Sequence, residues 1–420
     1  MRQFLNNQPL GVFVSVWLMG SLMVAGTANA LEADFRLKWF SNLSALPEHD
    51  VQRPFIGTPS VDSTGDLRLM FTQDVGPVRI LVDHSTIIQT GDAVFLQRGP
   101  DSAVDQTVIS DEHRWLDLTW KFDDGPHHQS VHRFDRLALQ LQTGDWGVTV
   151  GRQAVSWGSG FVFQPLDPFN PFSPTVVDRD YKTGNDLVLI DRLLDNGHDL
   201  QFLHVLRRDD NQHVTNEVSS TAFKWHGYAG NLEFELIGAE HYGETFVGTS
   251  LRIPVGQAML RSDIVGIDAA DDWYVSGVVN LDYSFVWKEF NGYVFAEYFY
   301  NDFGVDELPA NPLLLPVELT DRLQRGEVFN LMRDYLAVGV NITWHPLLSQ
   351  SLTVITNLHD ASSLFQTSLS YSPSDSQSLQ IGWVEPLGRA GDEFGGVPVA
   401  GDALTTGGGS RFFLRWVYYP

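Results

Sequence analysis

Apolar and polar residues alternate along most of the chain, in segments of about ten residues that end in turn-forming residues. Alternation of this period gives a β-strand one apolar face and one polar face. The pattern therefore predicts an all-β protein. The alternating segments lie at residues 67–72, 78–83, 116–122, 136–142, 232–236, 279–287, 336–344, 379–383 and 411–418.

Two further features favour a transmembrane antiparallel β-barrel over a soluble sandwich. Aromatic residues such as Trp120, Trp344 and Trp383 concentrate at the strand ends. Short turns also alternate with long polar loops, which is the layout of outer-membrane barrels. The long loops are predicted at residues 42–65, 90–112, 155–184, 301–330 and 386–409.

Strand parity predicts about 18 strands, within a range of 16–20, because bacterial single-chain barrels have even strand counts. The parity requires that residues 258–266 form a strand. It fails once near the N-terminus. Either a further strand lies between Asp92 and Asp111, or one of the early strands is false.

The first thirty residues have the pattern of a cleaved secretory signal peptide. Arg2 precedes a mostly apolar stretch, Leu10 to Ala25, and Ala28-Asn29-Ala30 is a small-residue cleavage pattern. A membrane anchor is the alternative, but the apolar stretch is shorter than the roughly 20 residues of a spanning helix. We therefore expect a signal peptide at 1–30, one barrel domain at 31–420, and export to the cell outer membrane.

Composition agrees with a barrel and narrows the function. The chain has a formal net charge of -25, which disfavours nucleic acid as a partner. It has no cysteine, so it forms neither disulfides nor thiolate metal sites. Aromatic residues make up 12% of the chain, as expected for aromatic girdles at two membrane interfaces.

One stretch, Trp146 to Asp186, breaks the alternation. It opens as a strand and continues into a segment, Gln164 to Pro174, that contains four prolines and therefore cannot be a central strand or a helix interior. Its phenylalanines need a wall to pack on. We expect residues 156–186 to fold into the barrel lumen as a constriction loop. Its candidate residues are Trp157, Phe163, Asp167, Phe169, Asn170 and Phe172.

The string GRQAVSWGSGFVFQPLDPFNPF, residues 151–172, resembles a segment of Gram-negative porin-like barrels, including the alginate-export-like barrels and related families. The resemblance covers about thirty residues and implies an outer-membrane barrel with an inserted loop. It also implies that Arg152 lies in or near the lumen. Alternatively, Arg152 and Gln153 anchor the loop by hydrogen bonds to its carbonyl groups.

The polar faces of the predicted strands give the candidate lumen residues. They carry both signs of charge, which would set selectivity or brace the wall. We expect this lumen to matter more for selectivity than the net charge, because most acidic residues fall in loops. The predicted lumen residues are Arg68, Arg79, Asp117, Arg136, Arg152, Gln153, Glu233, Glu235, Asp282, Arg411 and Arg415.

Other motifs have plain interpretations. Asp178 to Asp186 has carboxylates at alternate positions, as calcium loops do, but lacks the distal glutamate. The histidines at 113, 127, 128 and 132 match no metal-site spacing, and a solvated hairpin end explains them. No nucleophile–base motif is present. We therefore predict no enzyme activity, no metal and no cofactor.

The sequence thus predicts a porin-like channel for passive diffusion of small hydrophilic or charged solutes. A sleeve around a cytochrome or another envelope partner is the second hypothesis, and an exported soluble β-protein is the third. The expected partners are outer-membrane lipid, small solutes and the barrel assembly machinery, which would recognise the last strand, Arg411 to Tyr419, despite its terminal Pro420. Homo-oligomerisation is left open.

Overall fold

A computed structural model of the chain describes residues 31–96, 110–178, 180–270, 272–399 and 403–420. The predicted signal peptide, residues 1–30, lies outside the described residues. Helical structure in the described ranges is limited to α1 (Asp92–Leu96), a 3-10 turn (Pro312–Leu314) and α2 (Val317–Arg325). None of these described helices is long and apolar enough to cross a membrane.

The rest of the regular structure is β-strand, as the alternation predicts. The strands are β1 (Glu32–Ala45), β2 (Ser60–Val75), β3 (Val78–Gly91), β4 (Thr119–Gly125), β5 (His128–Thr143), β6 (Trp146–Gln153), β7 (Asn185–Leu193), β8 (Asp199–Val205), β9 (Ser220–Ala229), β10 (Leu232–His241), β11 (Glu244–Val255), β12 (Ala258–Ala269), β13 (Asp272–Trp287), β14 (Phe290–Asn301), β15 (Asp334–His345), β16 (Leu348–Asn357), β17 (Ser363–Ser374), β18 (Gln377–Leu387), β19 (Val397–Pro398), β20 (Thr405–Thr406) and β21 (Ser410–Tyr418).

The large sheet closes on itself. It contains 19 strands, and without β4 the remaining 18 form a continuous antiparallel ring. The ring runs through consecutive strands from β5 to β18, continues through β21, β1, β2 and β3, and returns to β5. Closure gives each of the 18 ring strands a neighbour on both sides, so the ring itself has no open edge. The predicted barrel of about 18 strands is confirmed.

The early parity failure is explained by β4. The segment Leu116 to Phe122, predicted as a membrane strand, lies at β4 and does not belong to the ring. Because β6 is short, it pairs with β5 only from Leu137 to Thr143. The first part of β5, residues 128–133, therefore has no partner in β6, and β4 pairs with it there instead. One of the early predicted strands was wrong, and no extra ring strand is needed.

The two ends of the barrel differ as predicted. At one end, all eight connections are short, such as the turns after β5 and β9, where Gly144 and Gly230 adopt positive φ of 55° and 64°. The other end carries the long connections 46–59, 92–127, 154–184, 206–219, 302–333 and 388–409. Three connections at that end are short, at 242–243, 270–271 and 358–362. The strand required at 258–266 is β12.

The two faces of the ring differ in the sense of a membrane barrel. On β15, the inward Tyr335 and Ala337 are fully buried, whereas the outward Leu336 and Val338 are 39% and 48% exposed. The outward faces of the other strands likewise expose leucine, valine, phenylalanine and tryptophan. A soluble sandwich would bury such a face against a second sheet. Here the face is left for lipid, as in outer-membrane barrels.

A charge on the outward face should therefore cost far more than one on the inward face. We expect Val338→Arg to lower the free energy of unfolding by about 2–4 kcal/mol, the cost of arginine near a bilayer midplane. The matched control is Gln380→Arg, because Gln380 lies on the inward face of β18. Urea titration of both variants in lipid vesicles measures the difference. Equal losses would contradict the assignment of the faces.

Candidate functional site

The connection between β6 and β7, residues 154–184 and here called the inserted loop, lies inside the ring. Its contacts follow the inner wall in ring order, from β9 through β11, β12, β13, β14 and β15 to β17. They continue to β21, β1, β2 and β5. The loop thus makes a circuit of the barrel interior and returns beside the strand where it started.

Two carboxylates on the wall hold the first part of the inserted loop. Glu297 on β14 accepts hydrogen bonds from the amides of Phe161, Val162 and Phe163, at 2.6, 2.9 and 2.8 Å. Asp263 on β12 accepts from the Ser159 amide and hydroxyl at 2.6 and 2.7 Å. Irregular backbone inside a barrel needs such acceptors because it has no strand partner.

Apolar contacts hold the same part of the loop. Trp157, Phe163, Leu166 and Phe169 are each 5% exposed or less. Phe163 stacks on Phe299 of β14 with ring centroids 4.5 Å apart. The apolar residues on this part of the inner wall include Leu187, Leu203, Phe246, Val265 and Ile267. The inner wall is therefore apolar where this part of the inserted loop packs, whereas the sequence predicts a polar lumen.

The second part of the inserted loop carries two aspartates into a group of basic residues. Asp178 lies 2.6 Å from the Lys38 ammonium and 3.2 Å from the Arg415 guanidinium. Asp180 lies 2.9 Å from Arg36 and also contacts Arg415. With Asp66, which pairs with Arg36, these residues contain three cations and three carboxylates. We call this set the neutral cluster: Arg36, Lys38, Asp66, Asp178, Asp180 and Arg415.

Lys182, near the end of the inserted loop, is hydrogen-bonded to residues in its first half. Its ammonium donates to the Val155 carbonyl and to the Asp167 carboxylate. Burial raises the pKa of Asp167 and lowers the pKa of Lys182, and each partner opposes the shift of the other. Arg136 on β5 donates to the Lys182 carbonyl at 2.7 Å. The base of the loop is thereby closed and attached to the wall.

The other predicted loop residues have structural positions. Phe169 packs edge-on to Trp157 with centroids 5.0 Å apart, and Asn170 adopts a left-handed backbone, φ 59°. Phe172 is half-buried. The aspartates at 178, 180 and 186 pair with Lys38, Arg36 and Arg152 respectively. No group of three or more potential metal ligands occurs within the described ranges.

Strand register places most of the predicted lumen residues on the inward face. Several of them are paired there: Arg68 lies 2.9 Å from Asp83, and Glu235 lies 2.9 Å from Arg252. Arg79 pairs with Asp74 at 2.8 Å and is half exposed near the short-turn end. The inward residues are Arg68, Arg79, Arg136, Gln153, Glu233, Glu235, Asp282, Arg411 and Arg415.

Two of the predicted lumen residues are elsewhere. Asp117 is exposed and precedes β4, which is outside the ring. Arg152 pairs with Leu137 and lies on the same face as Val150, which is outward and 41% exposed. In the sequence, Arg152 already falls on the same alternating positions as Val148 and Val150, which indicates the outward face. The family resemblance indicated the lumen instead. The prediction that Arg152 faces the lumen is wrong.

The Arg152 side chain instead lies within the barrel wall, at the end of β6 and the start of β7. It is completely buried and lies 2.8 Å from Asp186 and 2.9 Å from Asp111, and it donates to the Leu116 carbonyl at 2.7 Å. Burial would raise the pKa of Asp111, but Arg152 and Arg114 outweigh it and lower the pKa. Through these contacts, Arg152 attaches residues 110–118 to the barrel wall at the end of β6. Arg152 anchors this segment, not the carbonyls of the inserted loop.

A second long connection, 302–333, covers the inserted loop from the long-loop end. Leu319 of α2 is fully buried in the same apolar cluster as Trp157 and Phe169. Glu327 lies 2.9 Å from His241 of β10 and 2.7 Å from Arg322. Burial opposes ionisation of Glu327, but these partners and Arg325 lower its pKa to about 2. The sequence did not predict that connection 302–333 packs on the inserted loop, because the residues it contacts are distant in the chain.

No protein-family profile matches this chain, and no curated protein matches it in sequence. Solved structures do match in fold. OccAB1 of Acinetobacter baumannii superposes with a TM-score of 0.54 at 10% identity, over 95% of this chain and 98% of that chain. A BenF-like porin from Pseudomonas fluorescens Pf-5 gives 0.54 at 11% identity, over 94% and 99%. The fold is that of outer-membrane porins.

OpdK of Pseudomonas aeruginosa, solved with vanillate, gives a TM-score of 0.50 at 10% identity, over 93% of this chain and 98% of that chain. At such identities the comparison concerns the fold alone. It confirms the resemblance to porin-like barrels. The narrower resemblance to alginate-export-like barrels stays a prediction.

The anchoring role of Arg152 predicts a large loss of stability on its removal. Arg152→Met would leave Asp111 and Asp186 buried without their cation, so we expect a loss of about 3–5 kcal/mol in the free energy of unfolding. Arg79→Met is the matched control, because Arg79 forms an exposed pair, and it should change little. Urea titration in vesicles measures both. A tolerated Arg152→Met would contradict the role.

Proposed function

We propose that this protein is an outer-membrane channel for passive diffusion of small hydrophilic solutes, narrowed by the inserted loop. The observation that carries the proposal is a closed 18-strand ring with an apolar exterior and a loop attached around its interior. A ring of 16–18 strands is too wide for its own side chains to fill. The inserted loop reduces the space, and cavities remain beside it.

Two cavities on the inner wall support a solute path. One of about 740 Å³ lies near the short-turn end, along β2, β3 and β5 to β8. Another of about 340 Å³ lies between the inserted loop and β14 to β18 with β21. Both are lined partly by polar inward residues, as expected where water and solutes contact the wall.

The alternative functions receive less support. A sleeve around a cytochrome needs a free inner wall, and this wall carries the chain's own loop over most of its circuit. A soluble β-protein would bury the apolar outer face. The proposed channel needs outer-membrane lipid around it and small solutes within it. Recognition of β21 by the barrel assembly machinery and homo-oligomerisation remain predictions.

Selectivity should follow the pairing of charges, not the net charge of the chain. In the neutral cluster, Asp178 and Asp180 of the loop balance two of the three cations on β1 and β21. We therefore propose that the native channel discriminates weakly between small anions and cations. The inserted loop both narrows the lumen and cancels the basic charge of its wall.

Planar-bilayer recording tests the channel and its charge balance together. The wild type should give discrete conductance steps with weak ion preference. Asp178→Asn with Asp180→Asn would leave a net charge of about two cations in the lumen. One unit charge at about 4 Å contributes about 1 kcal/mol under water-like screening, so the anion-to-cation permeability ratio should rise about fivefold or more.

The matched control removes two carboxylates outside the barrel interior. Asp210 and Glu217 are carboxylates exposed in connection 206–219, whereas Asp178 and Asp180 pair with cations of the inner wall. Asp210→Asn with Glu217→Gln should leave the reversal potential in a KCl gradient unchanged. Absence of conductance in the folded wild type would contradict the channel. Equal shifts in both double variants would contradict the role of the loop aspartates.

A further inference from the structure

The 340 Å³ cavity between the inserted loop and the wall, here called the chamber, differs in chemistry from the rest of the interior. Its size lies within the range of about 300–1,000 Å³ typical of small-molecule sites. Phe161, Val162, Pro174, Val176 and Val177 of the loop form one side. The inward faces of β14 to β18 and β21 form the other. The polar wall residues include Asn341, Ser351, Thr353, Gln366, Ser368 and Gln380.

No charged residue lines the chamber in the described part of the chain. The charged groups beside the chamber already have partners: the Glu297 carboxylate accepts hydrogen bonds from the Phe161 and Val162 amides. Arg261 lies on the Phe161 ring at 4.9 Å and contacts Asp282. Arg415, the register partner of Gln380, belongs to the neutral cluster. An ion that entered the chamber would lose hydration and gain no opposite charge, which is unfavourable.

The chamber offers hydrogen bonds from uncharged groups. Asn341 accepts from the Ser351 hydroxyl at 2.5 Å, and Gln380 donates to Ser368 at 3.0 Å. These bonds leave further donors and acceptors on amides and hydroxyls. The Asn341 amide nitrogen and the Tyr293 hydroxyl have no hydrogen-bond partner in the described part of the protein. They are available to a solute that has several hydroxyl groups.

Aromatic faces complete the chamber. Phe161 of the loop lies 5.2 Å from Phe295 and 6.1 Å from Tyr293, measured between ring centroids. Phe413 of β21 borders the same space. Aromatic rings provide apolar area, while the amide and hydroxyl wall provides hydrogen bonds. A ring-shaped polyhydroxyl compound presents both kinds of surface, with C–H groups on its faces and hydroxyl groups at its edge.

We propose that the chamber is a binding site for an uncharged, hydroxyl-rich solute of about the size of a hexose. This inference rests on the proposed channel function and specifies a substrate class for it. The aromatic side contacts the apolar face of the sugar ring, and Asn341 and Tyr293 bind its hydroxyl groups. Carboxylate and ammonium analogues are excluded because the chamber has no counter-charge.

Ligand-observed NMR titration of the folded, detergent-solubilised barrel measures binding without relying on conduction. Glucose is the probe, and glucuronate, glucosamine and vanillate are its competitors. Glucose should bind saturably and more tightly than all three. Asn341→Ala should weaken glucose binding roughly three- to tenfold, the effect of losing a hydrogen bond to an uncharged group. Tyr293→Phe keeps the ring and should give a similar change.

The matched control is Asn211→Ala, because Asn211 is an exposed amide in connection 206–219 and lines neither cavity. It should bind glucose as the wild type does. Heat-modified gel mobility verifies that each variant is folded. Failure of glucose to bind, or tighter binding of glucuronate or vanillate, would overturn the chamber proposal. Conductance recorded on the same samples distinguishes this failure from failure of the channel itself, since each can occur alone.

Discussion

Backbone amides inside a barrel need hydrogen-bond acceptors, and this requirement determines how the inserted loop is held. A proline-rich segment forms no strand ladder, so its amides must find partners on the wall. Glu297 provides them for three consecutive residues, and Asp263 for two more. Both carboxylates come from strands in the far half of the ring from β6. Attachment at these points carries the loop across the barrel interior.

Ion pairs hold the second part of the inserted loop against the wall formed by β21, β1 and β2. Asp178 and Asp180 bind cations on β21 and β1, and the Tyr181 ring lies 4.6 Å from the Arg36 guanidinium and 4.1 Å from that of Arg68. The cations of this wall are therefore occupied by the protein's own carboxylates. Uncharged amides and hydroxyls line the chamber on the adjacent strands. These two neighbouring parts of the inner wall therefore differ, one charge-balanced and the other uncharged, and this difference is the basis for the solute proposed here.

Alternation along the chain located eight of the ring strands, because a two-residue period is a local property, and the parity of short turns and long loops then predicted the approximate size of the ring. Alternation also located the inserted loop, since prolines in Gln164 to Pro174 exclude a strand. The partners of the loop were not predictable. Asp180 and Arg36 are 144 residues apart, and only ring closure brings them together. Arg152 shows the opposite case: it lies on the same strand face as Val148 and Val150, which is outward, whereas the family resemblance implied the lumen.

The position of the inserted loop against the wall is the central claim, and a disulfide tests it directly. The Ser159 hydroxyl lies 3.3 Å from the Ser250 hydroxyl of β11, and the chain has no cysteine. Ser159→Cys with Ser250→Cys should crosslink in intact outer membranes under mild oxidation, with a shift in denaturing gels that reductant reverses. Ser159→Cys with Ser368→Cys, on β17, should not. Absence of the first crosslink, or formation of both, would contradict the attachment of the loop to the wall.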